Sequence, residues 1–548
     1  MTDSTQKRLE LAFERFCKTN ATLWVSRQGS AGVSKAILAE GFFCESGPNY
    51  TVRVGTIAKA LQEATGGKID ILLQGALEKE PRKIDLWKSF GVDGFVSLRG
   101  IFADESMIYK FLISLRAACF FLAAFVYLAL GNSKWFFNLS SGGVRFGDLI
   151  YDEILKQNEV EPVESKKRFS VRILSIRDLK LFLRAFAYLS VLEKVFKQVN
   201  PGYYVATHSQ YLSYGLPIRF FRAHGVVTIE TTDDFLFING GPAGKLPKFH
   251  TQLRNDITRE LKTLSPVDLD ARAAASVQVL EKRFSGLLEQ IDVKMAYRNK
   301  KHYGLEELRL KLGITNQNPI VFVFAHVFSD APQGNSDGSL FEDYFVWLRE
   351  TITRASKIEK INWVIKEHPS VKAYGEEGLV EKMVRKYCPD SSCVFVCPHD
   401  FSTANVKNIA HAVVTAQGTA GLEFACVGLP VVITSKPFYS GFGFTFEPES
   451  RSEYFQMLEN VMEIRRPDSD QVRLANIVFA SFGKMFLNDH SIIDSVVKDL
   501  TWGVEHQKDV AAAYDLVTGR LVSYDPKQSL VYGLIMKHFG ASSVQTTN

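Results

Sequence analysis

The stretch from Val413 to Thr445, VVTAQGTAGLEFACVGLPVVITSKPFYSGFGFT, constrains the chain most. Ala412 to Thr415 is a short apolar run ending at a polar turn, the pattern of a buried strand. Gly418-Thr419-Ala420-Gly421 opens a helix over Leu422 to Val427, Gly428 ends it, and Pro430 to Thr434 reads as the next buried strand. Strand, small-residue turn, helix and strand make a βαβ unit. Its turn lies at the carboxyl end of a strand, where open α/β sheets bind ligands. The bare N–H groups of that helix terminus favour an anion. An ordinary tight crossover has the same pattern, so a second element is needed.

That element is Ile361 to Ser370, INWVIKEHPS. Pro369 pushes His368 out of the helical region and stops the strand there. Lys366, His368 and Ser370 then sit at another strand's carboxyl end. Lysine offers a point charge to phosphate, and histidine a directed donor or acceptor. The two turns lie about 50 residues apart, a spacing that suits two strands of one doubly wound sheet. Together Lys366, His368, Pro369, Thr415, Gln417, Gly418 and Thr419 read as a nucleotide-phosphate cradle. Glu423, one turn into the helix, either accepts from a ribose hydroxyl or favours the helix terminus electrostatically.

With these motifs in hand, the chain resembles the bacterial capsule and surface-polysaccharide biosynthesis glycosyltransferases of GT-B fold. The resemblance rests on KEHPS, GTAGLEFACVGLPVV and PFYSGFGFT, and on three further segments. Phe324 to Pro332 is similar to the family's first C-terminal strand and loop. Gly143 to Asp152 resembles its GDLIYD segment, and His208 to Gly225 a strand-helix unit of its N-domain. The resemblance runs over roughly residues 135 to 455. It implies two Rossmann-like domains facing a cleft, with extra helices at both ends. It also implies a nucleotide-sugar donor, a glycan or glycolipid acceptor and no cofactor. In relatives that use cytidine-activated donors, a His-Pro pair and a later Ser/Thr turn hold the nucleotide. Here Gly418-Thr419 replaces the usual Ser-Ser or Ser-Thr, so the donor stays open, a CMP-activated acidic sugar being one reading. The alternatives are a teichoic-acid-type polyol-phosphate transferase using a CDP-activated donor, a sugar-nucleotide epimerase, and a non-catalytic glycan assembly scaffold.

The chain's 548 residues exceed one hydrophobic core. The expected division is an acceptor-side α/β domain with a helical insertion over 1–314 and a nucleotide-sugar domain over 315–500. A helical tail over 501–548 follows, with a crossing back to the first domain left open. A net charge of +5 is too weak to argue for nucleic acid. Seven scattered cysteines suit reduced thiols and a cytoplasmic setting. Cys388, Cys393, Cys397 and His399 lack a recognised zinc spacing and read as core residues. The polar start through Arg15 lacks a signal-peptide pattern.

Strands are expected at Thr22–Ser26, Lys68–Gln74, Asp93–Leu98, Trp135–Leu139, Tyr203–Thr207, Val226–Glu230 and Ile320–Phe324. Helices are expected at Asp104–Leu130, Ser175–Gln198 and Gln210–Ala223, and through Gln252–Tyr303. The uncharged run Ala117–Leu130 is short for a spanning helix, so a buried helix is expected, with an interfacial helix as the alternative. Residues 165–184 form a basic face, which a solvated surface or an anionic inner-leaflet membrane would satisfy. This makes the cytoplasmic side of the cell membrane a peripheral setting for the protein.

An inverting sugar transferase needs a carboxylate or histidine base in the cleft. Asp148, in a glycine-rich turn, and His208, at a strand end, are the N-domain candidates. Asp152, Glu230 and Asp233 are further carboxylates on that side. Opposite, Asp330 and His326 follow the strand Ile320–Phe324, placed to bind the donor sugar or meet the acceptor, with Asp330 a further catalytic candidate and His326 a donor-binding one. No convincing DxD metal motif occurs, and metal-independent transfer is expected, with the leaving group stabilised by a helix terminus and Lys or His.

Overall fold

The computed structural model describes residues 3–25, 35–41, 47–73, 81–157, 169–232, 234–240, 248–335, 337–487, 489–503 and 508–540. Its frame is two twisted sheets. The first comprises β1 (Ala36–Glu40), β2 (Ile69–Leu73), β3 (Gly94–Ser97), β4 (Pro201–Ala206), β5 (Val227–Thr231) and β6 (Leu236–Asn239). Their order is β3-β2-β1-β4-β5-β6, parallel except for the antiparallel edge strand β6. The second comprises β7 (Ile320–Phe324), β8 (Asn362–Lys366), β9 (Val394–Val396), β10 (Ala410–Thr415) and β11 (Val431–Ile433), in the order β9-β8-β7-β10-β11. All its pairings are parallel. In each sheet the winding reverses beside the first strand, between β1 and β4 and between β7 and β10. Such reversals leave a crevice at the strands' carboxyl ends. Strands covered on both faces read as continuous apolar runs, as in Ile320–Phe324. The architecture is α/β and GT-B-like, with two Rossmann-like sheets and added helices at both ends.

Helix α1 (Asp3–Trp24) buries Ala12, Phe16, Asn20 and Trp24, a strict i+4 face. Trp24 packs near Phe90, with ring centroids 6.2 Å apart. The expected strand at Thr22–Ser26 is therefore wrong: its described part completes α1, because extending the helix is what buries Trp24. The neighbouring strand β1 escaped the sequence reading. The expected strand at Trp135–Leu139 is also wrong, since Ser133–Phe137 is a helical turn. Aromatic residues favour strands, but here tertiary packing wins. Phe136 is fully buried and stacks on Phe182, and Phe137 meets Tyr151 edge-on at 4.9 Å.

Three more helices complete the first half: α2 (Pro48–Thr65), α3 (Met107–Ala129) and α4 (Gly147–Lys156). Then come α5 (Leu179–Val199) and α6 (Tyr211–Ala223). The expected helical run Gln252–Tyr303 is three helices, α7 (Phe249–Leu261), α8 (Pro266–Phe284) and α9 (Ile291–Ala296). The break before α8 is a capping box, Ser265 with Asp268, followed by proline. The second half adds α10 (Tyr344–Ala355), α11 (Thr419–Cys426) and α12 (Ser469–Met485). The chain ends in α13 (Ser495–Trp502), α14 (Val510–Leu521) and α15 (Leu530–Gly540). These last three pack in one apolar cluster with α1, α2 and the first sheet, through Val497, Tyr514, Val517 and Ile535. The described cysteines are free; Cys388, Cys393 and Cys397 are buried core residues. His399 is exposed and lies 3.7 Å from Glu367.

Helix α3 corrects a further expectation. The run lies in a 23-residue helix, Met107–Ala129, that is by length and composition long enough to cross a membrane, and only 28% of its most apolar stretch is buried. Ala117, Phe121, Ala124 and Leu128 face the core, while Leu122, Val126 and Leu130 face outward.

The two halves are tied through the loop after β7. The Asp152 carboxylate on α4 accepts the N–H of Gln333 at 3.0 Å and of Gly334 at 2.6 Å. A Cβ on Gly334 would sit 2.9 Å from that carboxylate, so glycine is needed there for close approach. Tyr211 donates to the Ser329 carbonyl (3.2 Å), and Gln210 to Asn335 Oδ1 (3.0 Å). Tyr151 donates to Asp343 at 2.6 Å. Asp152→Ala would strand two buried N–H groups. Each costs about 1–3 kcal/mol, so the expected loss is roughly 2–5 kcal/mol of unfolding free energy in urea titrations.

Candidate functional site

The carboxyl ends of β7, β8 and β10 converge with the start of α11. His326 follows β7, and its Nε2 accepts the backbone N–H of Gln417 at 3.2 Å. That bond leaves the ring's proton on Nδ1. The ring stacks on Tyr344 at 4.4 Å and lies 6.4 Å from His368. Thr415 Oγ1 is 3.3 Å from His326 Nε2 and accepts the Gly418 N–H at 3.3 Å. Gln417 donates through its side chain to the Tyr344 hydroxyl. Thr415, Gln417 and His326 thus fix the turn on which Gly418 and Thr419 sit.

Small residues are required in that turn by contact, since the Gly418 backbone is in the extended region. A Cβ on Gly418 would meet Thr415 Oγ1 at 3.1 Å, and one on Gly421 would meet the Tyr439 hydroxyl at 2.3 Å. Tyr439 in turn donates to the Gly418 carbonyl at 2.6 Å. The N–H groups opening α11 complete the turn.

His368 accepts the Ser370 N–H on Nδ1 at 3.2 Å, so its Nε2 carries the proton and donates. Burial pushes its pKa down to about 4, keeping the ring neutral near pH 7. Burial, with the nearby His368 and His250, pushes His326 down to about 3. Pro369, after His368, is exposed and holds the turn. His250 was not foreseen, because α7 lies far away in sequence. It stacks on Phe438 at 5.9 Å, and its buried Nδ1 has no partner among the described residues.

Beside this turn lies a cavity of about 1300 Å³, whose lining includes Ser370, Tyr374, Thr419, Glu423, Arg283 and Lys498. Glu423 is held by Arg283 Nε at 2.8 Å and by the Tyr297 hydroxyl. Lys366 does not reach the cavity. Its ammonium donates to the Phe401 carbonyl at 3.2 Å and lies 5.5 Å from that ring's centroid, and burial lowers its pKa. Phosphate binding by Lys366, the expectation from KEHPS, is therefore corrected: the side chain leans towards the β9 edge. Cations in the cavity lining include Arg283 on α8, paired with Glu423 and Asp292, and Lys498 on α13. Lys498 pairs with Asp234 at 2.9 Å. Neither cation lies near the motifs in sequence, and only the fold brings them there. Asp233 lies outside the described residues.

On the N-domain side, Asp148 is held by both nitrogens of Arg219, at 2.6 and 3.0 Å, and by Arg145 at 3.2 Å. Burial alone would raise its pKa. Arg219, Lys248 and Arg145 outweigh burial and hold the carboxyl well below the usual range. A carboxylate so stabilised is the wrong group to abstract a proton, so the expectation of Asp148 as base is corrected. It sits in the first turn of α4, not at the N-cap.

His208 lies two residues beyond β4 and 4.3 Å from the Tyr214 ring, kept neutral by burial and by Lys156, with a pKa of about 3. Asp330 occupies the loop after β7. Burial raises its pKa, against the pull of Lys156 and a hydrogen bond from Tyr374. Tyr374 lines the cavity, so Asp330 is one hydrogen bond from it. The Lys156 charge lowers the pKa of both candidates. Nearby, Glu40 and Glu230 each keep one carboxylate oxygen unpartnered among the described residues.

The segment containing the His-Pro turn, the glycine turn and the α11 start is also the part similar to a known family. Residues 286–466 match the capsule polysaccharide biosynthesis protein family. That is about a third of the chain, and it starts well after residue 135, so Gly143–Asp152 and His208–Gly225 lie outside it. No curated protein sequence matches the chain.

Among solved structures, the beta Kdo 2,7 transferase of Thermosulfurimonas dismutans KpsC is 14% identical, with a TM-score of 0.31. The similarity covers 63% of this chain and 96% of that one. The beta Kdo 2,4 transferase of the same KpsC is 13% identical, covering 51% and 79%, also with a TM-score of 0.31. A UDP-GlcNAc 2-epimerase from Neisseria meningitidis is 10% identical, covering 89% and 100%, with a TM-score of 0.23.

Glu40 supplies a pH test of these electrostatics. Burial pushes its pKa from 4.5 up to about 8, against hydrogen bonds from Thr207. Between those values the folded chain keeps the proton that the unfolded chain releases. Stability is therefore lost as pH rises through that window. Glu40→Gln lacks this titration, so its stability relative to wild type should improve between about pH 5 and about pH 8 in urea titrations. An unchanged difference would mean that Glu40 ionises freely.

Proposed function

We propose that the chain transfers a sugar from a nucleotide-activated donor to a growing capsule or surface glycan. The observation that carries this reading is the meeting of the His368-Pro369 turn and the α11 terminus beside one large cavity, within the segment that matches the capsule family. A neutral, donating His368 and the first N–H groups of α11 suit a phosphate. With Lys366 withdrawn, the cradle suits a single phosphate better than two. We therefore favour a cytidine monophosphate-activated acidic sugar, whose carboxylate Arg283 or Lys498 could meet. Thr415, Gln417 and His326 position the turn, and Glu423 holds Arg283 in place.

In the transfer, the acceptor hydroxyl attacks the anomeric carbon and its proton passes to the Asp330 carboxylate. The bond from the anomeric carbon to the phosphate oxygen breaks. The departing phosphate is stabilised by the α11 N–H groups and by His368, which requires no metal. His208 is the second candidate for the base. Free, scattered thiols and a nucleotide-activated donor support a cytoplasmic setting for the reaction.

Titration calorimetry with CMP, CDP, UDP and GDP tests the donor. CMP should bind, and His368→Ala and Thr419→Val should each weaken it by about 1.5–3 kcal/mol. Unchanged affinity in both folded variants would remove the assignment. For the base, Asp330→Asn should lower kcat by ~10²–10⁴ at saturating donor while nucleotide affinity is retained. If Asp330→Asn keeps its turnover and His208→Gln loses it, the base is His208.

A further inference from the structure

Helix α3 is apolar on two opposite faces, yet only one is covered. Its inner face, Ile113, Ala117, Phe121, Ala124 and Leu128, is buried in the core of the first half. Its outer face carries Ile108, Phe111, Leu115, Leu122, Val126 and Leu130, which are 74, 66, 52, 60, 49 and 76% exposed. Steps of three, four and seven residues put these on one stripe. Over 23 residues the stripe is about 35 Å long. No acidic residue occurs in the helix. Continuous exposed apolar surface of this extent marks an interaction site.

The surroundings say what covers it. Helices α3 and α5 run antiparallel: Ser190 bonds the Tyr109 hydroxyl at 2.9 Å, while Phe182 packs on Phe121 at 5.6 Å. The start of α5 therefore lies beside the end of α3. There Ile173 and Ile176 are also exposed, at 54 and 76%. Lys134, Arg177 and Lys180 stand at the same end, and no described carboxylate pairs with them. Trp135 is 59% exposed, 5.3 Å from the Tyr127 ring. The acidic Asp104 and Glu105 lie at the opposite end, and Glu105 is paired with Lys194. An apolar stripe with cations and a half-exposed tryptophan at its margin is the pattern of a surface seated in the interface of an anionic bilayer.

We propose that the outer face of α3, with the cationic start of α5, docks the protein flat on an anionic lipid bilayer. The helix does not span it. Its inner face is committed to the core, and Arg116 ties it down through Ser141 at 2.8 Å and the Phe186 ring at 5.2 Å. The inference itself is independent of the transfer chemistry.

The test is flotation of the full-length chain with vesicles of phosphatidylcholine alone or mixed with phosphatidylglycerol. The chain should float with the anionic vesicles, and less so at high salt. Leu122→Asp combined with Val126→Asp should lower partitioning at least about tenfold, with melting temperature and CMP affinity unchanged. Both positions are exposed, so folding is spared. Failure to float, or flotation undiminished in the double variant, overturns the proposal. So does a dimer in light scattering that the double variant splits, since the stripe would then belong to a second copy.

Discussion

The two buried hydrogen bonds from Gln333 and Gly334 to the Asp152 carboxylate hold the molecule's working parts in register. They fasten the far end of the loop that leaves β7 to a helix of the other half. At the near end of the same loop, His326 accepts the Gln417 N–H and sets the turn before α11. Asp330 lies between, next to Ala331, whose φ of 42° is uncommon for a residue with a side chain. The nine residues from His326 to Gly334 thus carry the support of the turn before α11, the proposed base and the tie between the two sheets.

The electrostatics follow from burial. Histidines at the turn are kept neutral, so His368 acts as a directed donor. Carboxylates near the cleft divide by environment. Asp148, ringed by Arg219 and Arg145, stays ionised and structural, while Asp330 and Glu230 are pushed upward by burial. Separating similar groups in this way is how one site assigns acid and base roles at a single pH. Arg283 and Lys498 at the cavity come from α8 and α13, helices more than 200 residues apart in the chain.

Much of the frame was legible because parallel strands buried on both faces leave unmistakable apolar runs. Ile320–Phe324, Asn362–Lys366 and the βαβ unit around Gly418 could be placed without coordinates. Short aromatic or mixed segments could not. Trp135–Phe137 has strand-like residues but no partner strand, and Trp24 is read correctly only once its i+4 face is known to be covered. Of the site, the His-Pro and glycine turns were visible as local chemistry. The direction of the Lys366 side chain was not, since Phe401 belongs to a neighbouring loop. Nor were Arg283, Lys498 and His250, whose positions depend wholly on packing. The exposed stripe of α3 was hidden for the opposite reason: an apolar helix reads the same whether its outer face meets protein or lipid.

The central claim is that a nucleotide's phosphate lies between His368 and the first turn of α11. A crystal structure of the chain with CMP tests it most directly. The account predicts phosphate oxygens within about 2.7–3.2 Å of His368 Nε2 and of the backbone nitrogens of Thr419 or Ala420, with Lys366 still turned to Phe401. A phosphate bound elsewhere, or held by Lys366 with the α11 terminus empty, would contradict it.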